Sequence, residues 1–313
     1  MSIYLRRMIA LGSVLFLSGT LAFAADAKPD QVEKMEKALP DAAPVKPAQQ
    51  RKVLVYTRAS GFVHSSIPLG AKTFEKLGEK TGAFTVTKVT DDPAVFDDLS
   101  GFDGIVLMST TGEFLQIKGK DAEANPDKAK ESKDKEPARK QALLDYVNNG
   151  GGLIGIHAAT DAYHNGKEHW PEYGDLIGGS FKEHPYSKIM IKIDDPSSPI
   201  NAQFKGNEFE FTDEIYVMKP DHYNRDRLRV LLSIDVDKTK MDKQARDDKD
   251  YAVAWIRQQG KGRVFYTLLG HREETYMNTL PLQFILAGTQ FALGDLKADA
   301  TPSGKITSTP ADK

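Results

Sequence analysis

From Arg51 onward the chain repeats a pattern of short apolar runs separated by helical stretches. Lys52–Thr57 (KVLVYT) is apolar and stops in polar Thr57, Arg58, Ala59, Ser60 and Gly61, which predicts a strand followed by a loop. Ile67 to Thr81 places Ile67, Ala71, Phe74 and Leu77 at helical spacing and closes at Gly82, a helix with its stop signal. Phe84–Val89 alternates as a second strand, and Phe102–Ser109 makes a third around Gly-Ile-Val-Leu-Met. Ala138–Asn149 is amphipathic through Ala142, Leu143, Tyr146 and Val147. It leads into Leu153–Ile156, an apolar run after a glycine turn with no alternation, which predicts a central strand buried on both faces. Strand and helix in repeated order, with single crossover helices, predict a right-handed parallel α/β sheet.

The second half has a different rhythm. Lys188–Asp194 alternates through Ile189, Ile191 and Ile193, and Phe209–Met218, Arg229–Asp235, Tyr251–Gln258 and Gly262–Leu269 also read as strands. Leu280–Leu293 predicts a last helix. The expected fold is a flavodoxin-like parallel sheet flanked by helices, with extra β-strands in the second half. One domain, 51–296, carries it. Four polar stretches interrupt the pattern. Ala25–Gln50 reads as a disordered, solvated leader with at most a short helix, Gln31–Leu39. Ile117–Pro137 has almost no large apolar residue and reads as a mobile charged insertion. Residues 297–313 read as a disordered tail, and Lys238–Asp250 as an exposed hairpin loop.

Residues 1–24 have the form of a secretory signal peptide: Arg6 and Arg7, apolar Ile9–Phe23, then Ala22-Phe23-Ala24. The expected location is therefore periplasmic or secreted, and no later stretch approaches the ~20 apolar residues of a span. The chain has no cysteine, which excludes disulfides, thiolate zinc sites and a cysteine nucleophile. A formal net charge of −2 gives no reason to expect nucleic acid or a membrane surface as partner. A small molecule is the expected partner, and a homo-oligomer stays open.

Four of the seven histidines, His157, His164, His169 and His184, fall between Asn149 and Pro185. In open α/β sheets ligands bind beyond the carboxyl ends of the strands. That rim would collect Arg58 and His64 from the first strand, His157 and Asp161 from the central one, and His271 with Glu273 from the last. The turn Gly155-Ile156-His157-Ala158-Ala159 has the form of a nucleophile elbow with imidazole in place of Ser or Cys. Imidazole there suits acid–base work, metal ligation or an electrophilic contact.

Several blocks resemble one family. Gly61-Phe62-x-His64-x-x-Ile67, the run Gly150–Asp161, Trp170-x-x-Tyr173-x-x-Leu176-Ile177-Gly178-Gly179-x-Phe181 and His184-Pro185 are four of them. Asp213-Glu214-x-Tyr216, Ala252–Trp255 and Gly262–Thr267 with Gly270-His271 are the others. In this order they are similar to the ThuA-like, or trehalose-utilisation, family, over about Arg51 to Leu293. The resemblance implies the class I glutamine-amidotransferase-like fold and a setting of glycoside or keto-sugar utilisation. Where amidotransferases carry their nucleophilic Cys this chain has His157, and their His-x-Glu pair resembles His271-x-Glu273. Without a thiol, amidotransfer is excluded.

Each candidate also has a bland reading. His157 and His271 could be hydrogen-bonded structural imidazoles, and His64-Ser65-Ser66 could simply cap the first helix. His184 before Pro185 could be a turn residue, Asp213-Glu214 a surface pair, and Trp170 and Trp255 core rather than sugar platforms. The working assignment gives His157 and His271 acid–base or ligand roles, with Glu214 and Asp161 as supporting carboxylates. Arg58, His64, Trp170, Tyr216, His184 and Trp255 are expected to bind substrate. His64, His157 and His271 could together hold a zinc-like divalent metal, although no sequential ligand motif supports it. The expected activity is on a sugar or keto-sugar. A metal-dependent hydrolase of glycosides or esters and a non-catalytic sugar-binding protein are the alternatives.

Overall fold

A computed structural model describes residues 26–166, 169–239 and 246–305. Their helices are α1 (Pro29–Ala38), α2 (Ile67–Thr81), α3 (Gly119–Ala124), α4 (Pro126–Asn148), α5 (Pro171–Ile177) and α6 (Thr279–Ala292). The strands are β1 (Lys52–Tyr56), β2 (Thr85–Thr90), β3 (Gly104–Met108), β4 (Gly152–Ile156), β5 (Phe181–Ile193), β6 (Phe209–Met218), β7 (Arg229–Ile234), β8 (Ala252–Gln259) and β9 (Gly262–Thr267). Among the described residues they form one sheet in the order β2-β1-β3-β4-β9-β8-β7-β5-β6. From β2 to β9 neighbouring strands are parallel, and from β9 to β6 they are antiparallel.

The apolar runs became the central strands because both faces of the parallel half are covered. Every residue of β3 and of β4 is buried. Helix α2 ends at Gly82, whose φ of 66° is the left-handed cap that glycine supplies without a Cβ penalty. In the antiparallel half the decisive feature is the β5–β6 ribbon. Its register shifts between Phe181/Glu183, Glu183/Tyr186 and Tyr186/Lys188, and such irregularities bend a ribbon. Residue 214 on this edge strand therefore meets the end of β4, five places away in the strand order.

Two of the expected disordered stretches are built into the fold. In the supposed leader, α1 buries Met35 completely and packs on α2. The following segment exchanges two bonds with Gln290, through Val45 N (3.1 Å) and Val45 O (2.7 Å). The charged insertion is α3 and the first half of α4, which continues through Pro137. It is anchored by polar rather than apolar contacts. Glu136 accepts from Gln116 and Tyr163 at 2.6 and 2.7 Å, Ile117 N donates to Ser132 Oγ at 2.8 Å, and Arg139 grips Asp97 at 2.7 Å. Part of the tail is docked as well: Ser303 N donates to Leu228 O, and Ser303 Oγ accepts from Val230 N. Residues 1–24, expected to be a signal peptide, residues 240–245 of the expected Lys238–Asp250 loop and the end of the tail, 306–313, lie outside the described residues.

Candidate functional site

The carboxyl ends of β1, β4 and β9 open onto one rim, and the bent ribbon leans over it. His64 comes from the loop between β1 and α2, His157 follows β4, His271 follows β9, and Glu214 lies on β6. One ligand-capable atom from each of these four lies within 4.8 Å of the others. The three rings stand edge-on, with centroids 4.8 Å apart for His64–His157, 5.1 Å for His64–His271 and 5.2 Å for His157–His271.

Local backbone explains why these side chains converge. His157 has a φ of 47°, the left-handed conformation of an elbow, which turns its side chain out of the strand direction. Gly270, with a φ of 138°, precedes His271; a Cβ there would meet the Tyr276 hydroxyl at 2.7 Å. Asp213 fixes the loop after β9 by accepting from Gly270 N (2.8 Å), Arg272 N (3.0 Å) and Thr275 Oγ1 (2.9 Å). Ser66, expected to cap α2, instead donates its hydroxyl to the Gly270 carbonyl at 2.8 Å. The β1–α2 loop, β6 and the β9 loop are thus tied together.

The electrostatics are unusual for a purely structural cluster. Nδ1 of His157 faces the Leu268 carbonyl at 2.9 Å. A carbonyl only accepts, so Nδ1 carries the proton and Nε2 presents its lone pair in the neutral ring. That Nε2 lies 3.3 Å from Glu214 Oε2, and His271 Nδ1 lies 3.1 Å from the same oxygen. Yet among the described residues His64 Nδ1, His157 Nε2 and His271 Nδ1, all buried, have no hydrogen-bond partner. Buried polar atoms are normally satisfied. Here imidazole nitrogens and a carboxylate oxygen converge, the donor arrangement of a site for a proton or a cation.

Burial, reinforced by His157 and His271, pushes His64 down to about 3, so it is neutral at working pH. The Glu214 carboxylate raises His271 above its ordinary value, against the pull of burial. Burial opposes the charge on Glu214, but His157 and His271 outweigh it and hold the group well below the usual carboxylate range. Three nitrogens and one oxygen, none of them a thiolate, make a donor set suited to zinc and similar divalent ions. The His157–Leu268 bond is the kind of outer contact that orients a ligating imidazole. Glu214 and His271 keep 20% and 32% side-chain exposure, which leaves the centre open on one side.

The other expected site residues are distributed unevenly. His184 belongs to the rim: its Nδ1 lies 3.1 Å from Glu214 Oε1, and its side chain is 54% exposed. Tyr216 supports from behind, buried with its ring 4.7 Å from that of His157. Asp161 lies outside the four-donor group and contacts His164 Nδ1 at 3.0 Å. Burial first, then Glu214, raises its carboxyl to about 7. Arg58 is a correction, since its guanidinium is spent on Asp91 and Asp121, each at 3.2 Å. Trp255 is another: it is fully buried, stacked on Tyr266 at 4.2 Å, and donates Nε1 to the Ile177 carbonyl at 2.8 Å. Trp170 is likewise buried, stacked on Tyr173 at 5.4 Å. Both indoles are core.

Sequence reasoning missed three things. The partner expected for His271 was Glu273; the carboxylate that approaches it is Glu214. Asp213 was grouped with Glu214, but nothing in the pair revealed that one clamps backbone and the other faces the centre. His222 is buried and lies 2.9 Å from Asp175, a pairing that no sequence motif signals.

The sequence pattern of the trehalose-utilisation family, ThuA, matches residues 52–292. A protein from Bacteroides uniformis described as ThuA-like superposes with a TM-score of 0.58 at 22% identity, over 84% of this chain and 99% of its own. Another ThuA-like protein, from Parabacteroides merdae, gives a TM-score of 0.54 at 18% identity, over 82% of this chain and 96% of its own. No curated protein matches the chain. The solved structures establish likeness of fold: an α/β sheet with parallel strands flanked by helices.

Proposed function

Because the chain belongs to the ThuA, or trehalose-utilisation, family, we propose that it is an enzyme of carbohydrate utilisation acting on a sugar or keto-sugar, with a divalent cation held by His64, His157, His271 and Glu214. One observation carries this reading: one nitrogen from each of three imidazoles and one carboxylate oxygen lie within 4.8 Å of one another. A cation in such a site polarises a carbonyl or hydroxyl and stabilises the charge that develops on its oxygen. For a keto-sugar, the chemistry is removal of the proton on the carbon beside the carbonyl. His184 lies outside the donor group, exposed and oriented by Glu214, and takes that proton. Asp161, outside the donor group and neutral up to about pH 7, is a proton donor in this reading.

The test is metal analysis of purified protein, followed by turnover of 3-keto and parent disaccharides before and after chelation. Close to one divalent ion per chain is expected, with turnover confined to keto-sugars and lost in His157→Ala. Turnover of unoxidised glycosides or esters would favour a metal-dependent hydrolase. Sugar binding without turnover would favour a binding protein. A protein that retains no metal and works unchanged as His157→Ala would end the assignment.

Export is part of the same proposal and rests on Arg6, Arg7 and the apolar run Ile9–Phe23. Among the described residues no helix is long and apolar enough to cross a membrane. N-terminal sequencing of the protein from its native host should find Ala25 first; an intact Met1 on protein in the cytosolic fraction would refute export.

A further inference from the structure

Two large apolar side chains stand side by side in solvent at the edge of the centre. Phe62 is 67% exposed and Val63 65%. Exposed apolar residues are common singly, and a mobile loop would give such a pair no meaning. This loop is held. Ala59 forms a bridge with Thr111, Ser60 N donates to Thr111 O at 2.9 Å, and Gly61 N donates to Thr111 Oγ1 at 3.1 Å. The same Thr111 hydroxyl then donates to the Phe62 carbonyl at 2.9 Å, and Ser60 Oγ donates to Gln116 O at 3.2 Å. The backbone that carries the phenyl ring is therefore fixed on both sides, although the ring itself buries little.

The position of the ring is specific. It lies edge-on to His64 with centroids 4.8 Å apart, and His64 is one of the four donors. Elsewhere on the rim, Phe181 stacks on His184 at 5.7 Å but is itself half-buried. The indoles that would have offered flat faces to a sugar are inside the core. Phe62 is thus the large, open aromatic face at the mouth of the centre.

We propose that Phe62, with Val63 beside it, is the platform for the second ring of a two-ring glycoside whose reacting ring lies at the His64–His157–His271–Glu214 centre. The proposal rests on the sugar reading above and adds the residue that determines preference for a second ring over a free monosaccharide. The C–H-rich face of a sugar, or an aryl ring, stacks on an aromatic face. A phenyl ring has no polar atom, so it favours a second ring without dictating the pattern of its hydroxyls.

The test is calorimetric titration of the metal-loaded full chain with glucose, trehalose and phenyl β-D-glucoside. The wild type should bind the two-ring probes about tenfold more tightly than glucose, the size of one aromatic contact. Phe62→Ala should remove that advantage, while Phe62→Trp keeps it. Melting temperature and metal content should not change in Phe62→Ala, because the ring is exposed. Two-ring probes binding Phe62→Ala as tightly as wild type would overturn the platform and leave the proposed function standing. A wild type that holds metal but binds none of the three probes would also overturn the platform, whereas the sugar reading falls only if keto-sugars are neither bound nor turned over. If Phe62→Ala instead dissociates an oligomer in sedimentation and leaves sugar affinity untouched, the pair is a contact between copies and the proposal fails.

Discussion

Nδ1 of His157 lies 2.9 Å from the Leu268 carbonyl, and this one bond selects the ring nitrogen that faces the centre. It reaches from the end of β4 to the end of β9, so two neighbouring strands hold the imbalance of lone pairs in place. The backbone of His157 is left-handed, with a φ of 47°. Asn tolerates that region and β-branched residues do not. His157→Val is expected to be less stable than His157→Asn by about 1 kcal/mol or more in urea unfolding, with metal lost from both. Equal stabilities would show that the elbow relaxes when its side chain is changed.

Asp213 and Glu214 are adjacent in sequence and do different work. Removing the Asp213 carboxylate strands three backbone amides, those of Glu214, Gly270 and Arg272, and the Thr275 hydroxyl. Asp213→Ala should cost roughly 3 kcal/mol or more and displace His271, so stability and activity fall together. Glu214→Gln keeps the shape and removes the charge. It should abolish metal retention while the melting temperature of the metal-free protein changes little. Unfolding curves and metal content of the two variants, side by side, check the distinction; similar behaviour of both would refute it.

The elements were largely legible from the sequence, and the site partly so. Helix Ile67–Thr81 and the inner strands β1, β3 and β4 follow from apolar spacing and glycine stops, because both faces of those strands are covered. His64, His157 and His271 were recognisable because strand ends in an α/β sheet share a rim. The role of Glu214 depends on bulges in β5, and a hydropathy pattern carries no record of where a ribbon bends. The two indoles show the same limit from the other side: an aromatic residue suits a core and a binding face equally well. The insertion was misread because its anchors, Ser132, Glu136 and Arg139, are polar residues that are buried.

That misreading gives a direct experiment. Glu136→Ala leaves the Tyr163 hydroxyl and the Gln116 amide without their acceptor. A loss of about 1–3 kcal/mol is expected, against less than ~0.5 kcal/mol for Lys128→Ala on the exposed part of the same helix. Equal, negligible effects in denaturant would return the insertion to the status of a solvated loop.

Two groups near the centre should tilt the pH dependence of stability of the metal-free protein in opposite directions. His64 is held down to about 3, against an ordinary value of 6.5. Between those values the unfolded chain binds the extra proton, so this term raises stability with pH and is fully present above 6.5. Asp161 is held up to about 7, against 3.8. Over that window the folded chain keeps the proton, so its contribution is full below 3.8 and is lost as pH rises towards 7. In urea unfolding from pH 4 to 8, His64→Gln should flatten the rise and Asp161→Asn should steepen it. The opposite pattern would refute the assignment of either charge state.

A chain beginning at Gln50 should melt earlier than one beginning at Asp26. It forgoes the complete burial of Met35, worth roughly 1.5–3 kcal/mol, and the Val45–Gln290 bonds. Identical melting temperatures would show that α1 adds nothing to the domain.

The four converging side chains are numbered 64, 157, 214 and 271. No half of the polypeptide owns the pocket, so a fragment stopping before β9 lacks a ligand however well its strands pair. A ribosome would have to release nearly the whole chain before the cluster could close. A cation taken up by this cluster would therefore report that both ends of the sheet have found each other.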